Sequence, residues 1–299
     1  MESSTQVERA YRPTKGLPAS PFVGRQREID ELNSALEDAW SGQGRLVMLM
    51  GEPGIGKTRT TQELASQAAA RGAQVLWGWC YEEEGAPPYW PWVQSIRSYI
   101  QQRTSEQLRS EMGAGATDIA EVIPDLRGKL PDLNSPPTVE PEQARFRLFD
   151  SLTAFLKNAS QTQPLMLVLD DLHWADRPSL LLLQFLARQL SESRLLLVGC
   201  YRDVELSRQH LVYDTLAQLS REPVFQRVLL RGISEADTAH FIGAAANIQP
   251  SPRLVEAIYT HTEGNPFSMI EVIRLLREQG KLSDERPSEN LKASGYRRA

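Results

Sequence analysis

Cysteine is nearly absent: the chain of 299 residues holds only Cys80 and Cys200, far apart and each at the end of an apolar run. There is no CxxC and no histidine pair at ligand spacing, so a structural zinc site is not expected. Two buried thiols in a reducing compartment is the simpler reading. Blocks of Lys or Arg are missing too. The net charge of −5 is spread along the length, which leaves no electrostatic footprint for direct nucleic-acid contact in this segment. Long hydrophobic runs are also lacking. The longest, such as 165–169 and 180–183, are far too short to cross a bilayer. Residues 1–20 contain no apolar stretch of the kind a secretory signal needs. The expectation is a cytoplasmic chain without membrane contact. No repeat of fixed period occurs.

What is present is an ordinary soluble balance, 41% hydrophobic and 24% charged, over a length that suits one large α/β domain and a smaller appendage. Residues 1–20 read as a flexible leader. A helix follows from Glu28, with Ile29, Leu32, Leu36 and Trp40 on one face. The apolar run 45–50 reads as a strand buried on both faces, and a glycine-rich break at 51–58 precedes a helix over 59–70. Further strands are expected at 73–79, 165–169, 194–199 and 227–230, with a helix over 178–190. Between the second and third strands, residues 85–163 form a largely helical insert that begins with Pro87-Pro88-Tyr89-Trp90-Pro91-Trp92. Strands alternating with helices predict a parallel three-layer α/β sheet of five strands over 21–232. After residue 232 the strands stop, and 233–280 reads as a small helical lid domain, followed by a tail at 281–299.

The chemistry centres on Gly51-Glu52-Pro53-Gly54-Ile55-Gly56-Lys57-Thr58, which matches G-x-x-x-x-G-K-[ST] at every fixed position. Glycines let the backbone curl so that successive N–H groups face an anion, and the following helix adds its positive end. Lys57 reaches the β- and γ-phosphates of a nucleotide, and the Thr58 hydroxyl takes one Mg²⁺ position. The nucleotide-binding set is therefore Gly51, Glu52, Pro53, Gly54, Ile55, Gly56, Lys57, Thr58 and Arg59. A second element, Leu165-Met166-Leu167-Val168-Leu169-Asp170-Asp171, ends a buried strand on two carboxylates, where ligands bind in open α/β sheets. Asp170 is the expected Mg²⁺ partner. Asp171 is placed to polarise an attacking water; the alternative is a helix N-cap, a job for which Asp176 is better placed.

Two acids in succession point to the P-loop class with an extra strand between the two motif strands, supplied by 194–200. Arg202, just beyond it, would sense the γ-phosphate, or else pair at the surface with Asp203 or Glu205. No Asn-Lys-x-Asp motif for guanine occurs, so ATP or ADP is the expected nucleotide. The pairs Trp77/Trp79 and Trp90/Trp92 are expected in the core rather than as base-stacking platforms.

Phe22-Val23-Gly24-Arg25, the P-loop, Asp170-Asp171-Leu172-His173-Trp174-Ala175-Asp176, Tyr201-Arg202 and Glu263-Gly264-Asn265-Pro266-Phe267 occur in this order. The series resembles the STAND signalling ATPases, an AAA-like group found in large LuxR-type transcriptional regulators and in multidomain cyclases and kinases. Residues 86–92 and the stretch Pro141-Glu142-Gln143-Ala144-Arg145-Phe146-Arg147 are also similar to that group. The resemblance implies that Val23, Gly24 and Arg25 line the adenine side of the nucleotide, and that Pro266 closes it from the lid. Independently, Pro266 suits the first turn of a helix. It further implies packing roles for His173 and Trp174, a nucleotide switch, and fused sensor and effector domains beyond Ala299. Asp171 stands where vigorous ATPases carry Glu, so slow hydrolysis is expected. Two other functions fit a P-loop chain: an oligomeric AAA-type ATPase acting on DNA, and a small-molecule kinase with its acceptor site in the insert.

Overall fold

The structure, a computed structural model, describes residues 21–82, 85–203 and 211–282. The leader at 1–20, Glu205 and most of the tail therefore lie outside the described residues. The chain divides into two compact units. Among the described residues, one comprises 27–53 and 57–230, the other 21–26, Gly54–Gly56 and 231–282.

The larger unit is built on a parallel sheet of β1 (Arg45–Met50), β2 (Gln74–Trp79), β3 (Leu165–Asp170), β4 (Leu195–Tyr201) and β5 (Phe225–Leu229), in the order β2-β3-β4-β1-β5. β4 thus lies between β3 and β1, which is the inserted strand that the double acid implied. Every residue of β3 and β4 is buried, as parallel strands covered on both faces must be. Helix α1 (Gln26–Trp40) precedes β1, and α2 (Lys57–Ala70) follows it.

Side-chain alternation sorts the strand residues. Leu165, Leu167, Leu169, Leu195 and Leu197 join a large core with the insert helices. Met166, Val168, Asp170, Val198 and Cys200 take the opposite parity, toward the face where α2 lies along β2, β3 and β4.

The insert is helical: α3 (Trp90–Gln101), α4 (Ser105–Met112), α5 (Ala116–Val122), α6 (Leu126–Lys129) and α7 (Pro141–Thr162). A capping box on Thr104 and Gln107 starts α4. The α3 backbone approaches β2 so closely that a Cβ on Gly78 would lie 2.0 Å from the Pro91 carbonyl oxygen. Trp92 is core, its indole N–H donating to the Ser179 carbonyl at 3.1 Å. Trp77 and Trp79 stack on each other at 5.9 Å but stay half-buried, because β2 is an edge strand. After β3 come α8 (Arg177–Arg188), capped by Asp176, and then α9 (Leu211–Leu219) between β4 and β5.

Element ends differ from the sequence reading by a few residues. The helix after the glycine-rich loop begins at Lys57 rather than at residue 59. β4 runs on to Tyr201 because that buried residue still pairs with Met50, and β5 begins at Phe225 because it pairs with Leu46.

The smaller unit contains α10 (Glu235–Ala246), α11 (Pro252–Thr262) and α12 (Pro266–Glu278). Ser234, Ser251 and Asn265 cap them through their side chains, and Pro opens both α11 and α12. Phe241, Ile242, Ile258, Met269 and Ile273 form its core, with Val23 packed against it. Gly24 has φ +71°, and a Cβ there would meet the Asp237 carboxyl carbon at 2.8 Å. Glycine suits that spot, since another residue would need both the left-handed backbone and a shift of the Asp237 side chain.

Candidate nucleotide site

In the larger unit the C-terminal ends of β1, β3 and β4 bring together the residues on which the chemistry would turn. Chain direction explains why: parallel strands all deliver their last residues to one edge, and helices return on the faces. Lys57 and Thr58 open α2 directly after the loop. The Lys57 ammonium is buried and donates to the carbonyls of Gly51 at 2.8 Å and Glu52 at 3.0 Å. Loss of hydration lowers its pKa, an effect that Arg202 reinforces and that Cys200, Asp171 and Asp170 oppose. The Thr58 hydroxyl donates to Asp170 Oδ2 at 2.8 Å across 112 positions of sequence.

Asp170 is only 2% exposed. Burial pushes its carboxyl above the ordinary range, while hydrogen bonds from Thr58, the Asp171 backbone and the Cys200 thiol pull it back, as does the charge of Lys57. A hydroxyl and an under-compensated carboxylate in contact are hard oxygen donors of the kind Mg²⁺ takes, alongside phosphate oxygens and water. The residues present therefore fit that ion.

Asp171 differs from its neighbour. Its backbone is left-handed, φ 57° and ψ 42°, and its side chain is 41% exposed. Asp tolerates that conformation better than most residues, and such strain concentrates at working sites. Burial and then the charge of Asp170 push its carboxyl upward; His173, Arg202 and Lys57 draw it down. His173 Nε2 stands 3.8 Å from Asp171 Oδ1, and its buried ring rests against Trp174. Arg202 follows β4 half-buried, and its charge is felt at both Lys57 and Asp171.

In the smaller unit, Arg25 is buried and its guanidinium donates to the Ile55 carbonyl at 2.8 Å. The Phe267 N–H donates to the Gly54 carbonyl at 3.2 Å. A Cβ on Gly54 would meet Phe267 Cβ at 2.6 Å and Asn265 Oδ1 at 3.0 Å. Pro266 occupies the first turn of α12.

Sequence reasoning missed Cys200 and Thr61. The Thr61 hydroxyl lies 3.3 Å from Cys200 Sγ. The parity of Val198 and Cys200 on β4, and the one-turn spacing of Lys57 and Thr61 on α2, could have found both. Asn265 and Phe267 were read only as neighbours of Pro266, and no local signal shows that they meet Gly54.

The sequence profile of the AAA ATPase domain family matches residues 21–198. A curated protein of Rhizobium meliloti (strain 1021), described as uncharacterized, is 22% identical over 208 residues, covering 66% of this chain and 20% of the relative. The chain thus spans about a fifth of the length of the curated relative that it matches. Among solved structures, the Aeropyrum pernix ORC1 protein in complex with DNA is similar at 14% identity, over 88% of this chain and 62% of that one, with a TM-score of 0.47. A Pyrococcus horikoshii signal transduction ATPase with numerous domains (STAND), bearing a tetratricopeptide repeat sensor, has 17% identity over 85% of this chain and 30% of its own, with a TM-score of 0.47. AMPPCP-bound DnaA from Aquifex aeolicus has 14% identity over 86% of this chain and 63% of its own, also at 0.47.

Proposed function

Because the chain belongs to the AAA ATPase domain family, we propose that it works as a regulatory ATPase module of a larger cytoplasmic signalling or transcription-regulatory protein. In this reading it binds ATP with Mg²⁺, hydrolyses it slowly, and differs in conformation between its ATP and ADP states. The observation that supports it most is the gathering of Lys57, Thr58, Asp170 and Asp171 at one end of the sheet.

Each residue has work to do. Lys57 meets the β/γ-phosphates with a cation that burial has already stripped of water. Thr58 and Asp170 would hold Mg²⁺, which when bound spreads the negative charge of the β- and γ-oxygens. Asp171 orients a water toward the γ-phosphorus and takes its proton as the bond to the β-γ bridging oxygen breaks; ATP and water become ADP, phosphate and a proton. Its carboxyl is one methylene shorter than that of Glu, which favours slow turnover. Arg202 reads the γ-phosphate. Val23, Gly24 and Pro266, all in the smaller unit, are proposed around the adenine. A nucleotide shifts a conformational equilibrium only by its difference in affinity for the two states, and Arg202 supplies such a difference between ATP and ADP.

The test uses the purified chain with MgATP. Calorimetry should show binding that Lys57→Ala weakens at least tenfold, or about 1.4 kcal/mol. Phosphate release should be slow and indifferent to added DNA. No ATP binding by the parent protein would sink the nucleotide reading. Identical proteolytic patterns with ADP and with a non-hydrolysable ATP analogue would sink the switch.

A further inference from the structure

Two consecutive peptide groups of the phosphate-binding loop are gripped by their carbonyl oxygens. The Gly54 carbonyl accepts the Phe267 N–H at 3.2 Å, and the Ile55 carbonyl accepts the Arg25 guanidinium at 2.8 Å. Ile55 is buried, and Arg25 is 5% exposed. Gly54 and Gly56 have φ of +76° and +102°, so the loop turns sharply on either side of Ile55. In a planar peptide the carbonyl of one residue and the N–H of the next point in opposite directions. The carbonyl of Ile55 therefore belongs to the same group as the N–H of Gly56, and the carbonyl of Gly54 to the same group as the N–H of Ile55. In a loop that cradles an anion, those N–H groups are the ones turned toward it. A donor on the carbonyl end polarises the amide and strengthens the N–H at the other end. A charged donor does so about twice as strongly as a neutral one.

We propose that Arg25 is a positioning residue for the phosphate-binding loop, acting through the peptide between Ile55 and Gly56, rather than a reader of the adenine base. Its guanidinium stops that peptide from turning over and makes the Gly56 N–H a better phosphate donor. The Phe267 N–H does the same, more weakly, for the peptide between Gly54 and Ile55. The shape of the clamp also accounts for glycine at position 54: a Cβ there would lie 2.6 Å from Phe267 Cβ. This inference rests on the nucleotide reading above, and it assigns Arg25 to the phosphates in place of the base.

A ligand without a base separates the two roles. Affinities of the parent, Arg25→Met and Arg25→Lys for MgATP, MgGTP and magnesium tripolyphosphate would be measured by calorimetry on the full chain, with a thermal melt of each protein. Arg25→Met keeps most of the apolar stem and removes the donors. It should weaken ATP and tripolyphosphate by the same factor, roughly tenfold for one charged hydrogen bond, and leave the ratio of ATP to GTP affinity unchanged. Arg25→Lys restores a charged donor and should recover part of the loss for both ligands equally. If Arg25→Met does not fold, Arg25→Lys against the parent decides: equal losses for ATP and tripolyphosphate support the clamp, and unequal losses overturn it. Undiminished tripolyphosphate binding alongside weakened ATP binding, or a changed ATP to GTP ratio, would likewise assign Arg25 to the base. A parent that binds none of the three ligands overturns the nucleotide reading itself, a result distinct from any of these.

Discussion

Replacing Asp170 with Asn should make the nucleotide-free protein more stable and the protein in MgATP less so. The carboxylate is 2% exposed and accepts from the Thr58 hydroxyl at 2.8 Å and from the Asp171 N–H at 3.0 Å. Hydrogen bonds to a charged group contribute about 1.5–3 kcal/mol each, whereas stripping water from a carboxylate costs several kcal/mol. Burial is the larger effect here, since the carboxyl lies above its ordinary range despite those bonds.

Asn keeps both contacts: its Oδ1 accepts from the Asp171 N–H, and its amide donates to a Thr58 hydroxyl that can rotate. The desolvated charge is gone. The expected gain is on the order of 1–2 kcal/mol, the usual size when a functional group's cost is relieved, or roughly 2–8 °C in Tm. Its pH dependence has a definite sign. A carboxyl raised in the folded state costs nothing below its unfolded pKa, and the full cost is present above its folded pKa. The advantage of Asn should therefore be greatest at neutral pH and fade as the pH falls toward about 4.

With excess MgATP the order should reverse. On the proposed role of Asp170, only the parent would keep a carboxylate for Mg²⁺, and saturating ligand at a hundred times Kd adds about 2.7 kcal/mol. Scanning calorimetry across pH, with and without MgATP, measures all of this. A lower Tm for the nucleotide-free Asn protein at neutral pH, or an advantage that grows on acidification, would refute the reasoning.

Asp171→Asn should bind MgATP like the parent but release phosphate roughly a hundredfold more slowly, the size of a lost general base; single-turnover kinetics with unchanged rates would make that carboxylate merely structural. Arg202→Ala should bind ADP normally and lose roughly tenfold in its preference for ATP, about 1.4 kcal/mol, as competition titrations will show. Gly78→Ala puts a methyl 2.0 Å from the Pro91 carbonyl oxygen, so α3 must move away from β2. A melt should show a loss of about 1–3 kcal/mol, and an unchanged Tm would mean that the helix shifts freely.

Much of this protein is decided locally. The glycine-rich turn and the helix after it were legible because their requirement is local: the glycines that allow positive φ, and the Lys-Thr pair that opens a helix, lie within eight successive residues. β1, β3 and β4 were legible because strands covered on both faces are apolar without interruption. The ends of the sheet were less so. β5 is half-exposed along most of its length, so Phe225 and Gln226 carry no continuous apolar signal, and only pairing with β1 shows that they are strand. The double acid at 170–171 implied a strand between the two motif strands, and β4 is there. Other relations are properties of packing alone. That Cys200 meets Thr61 and Asp170 depends on strand parity and on which face α2 covers. The clamp on Gly54 and Ile55 joins residues 30 positions apart on one side and more than 200 on the other. A hydrogen bond to a loop carbonyl asks only for an N–H in the right place, and any residue with a backbone or a guanidinium can supply one. Composition and spacing leave no trace of such a bond; the fold alone selects which donor arrives.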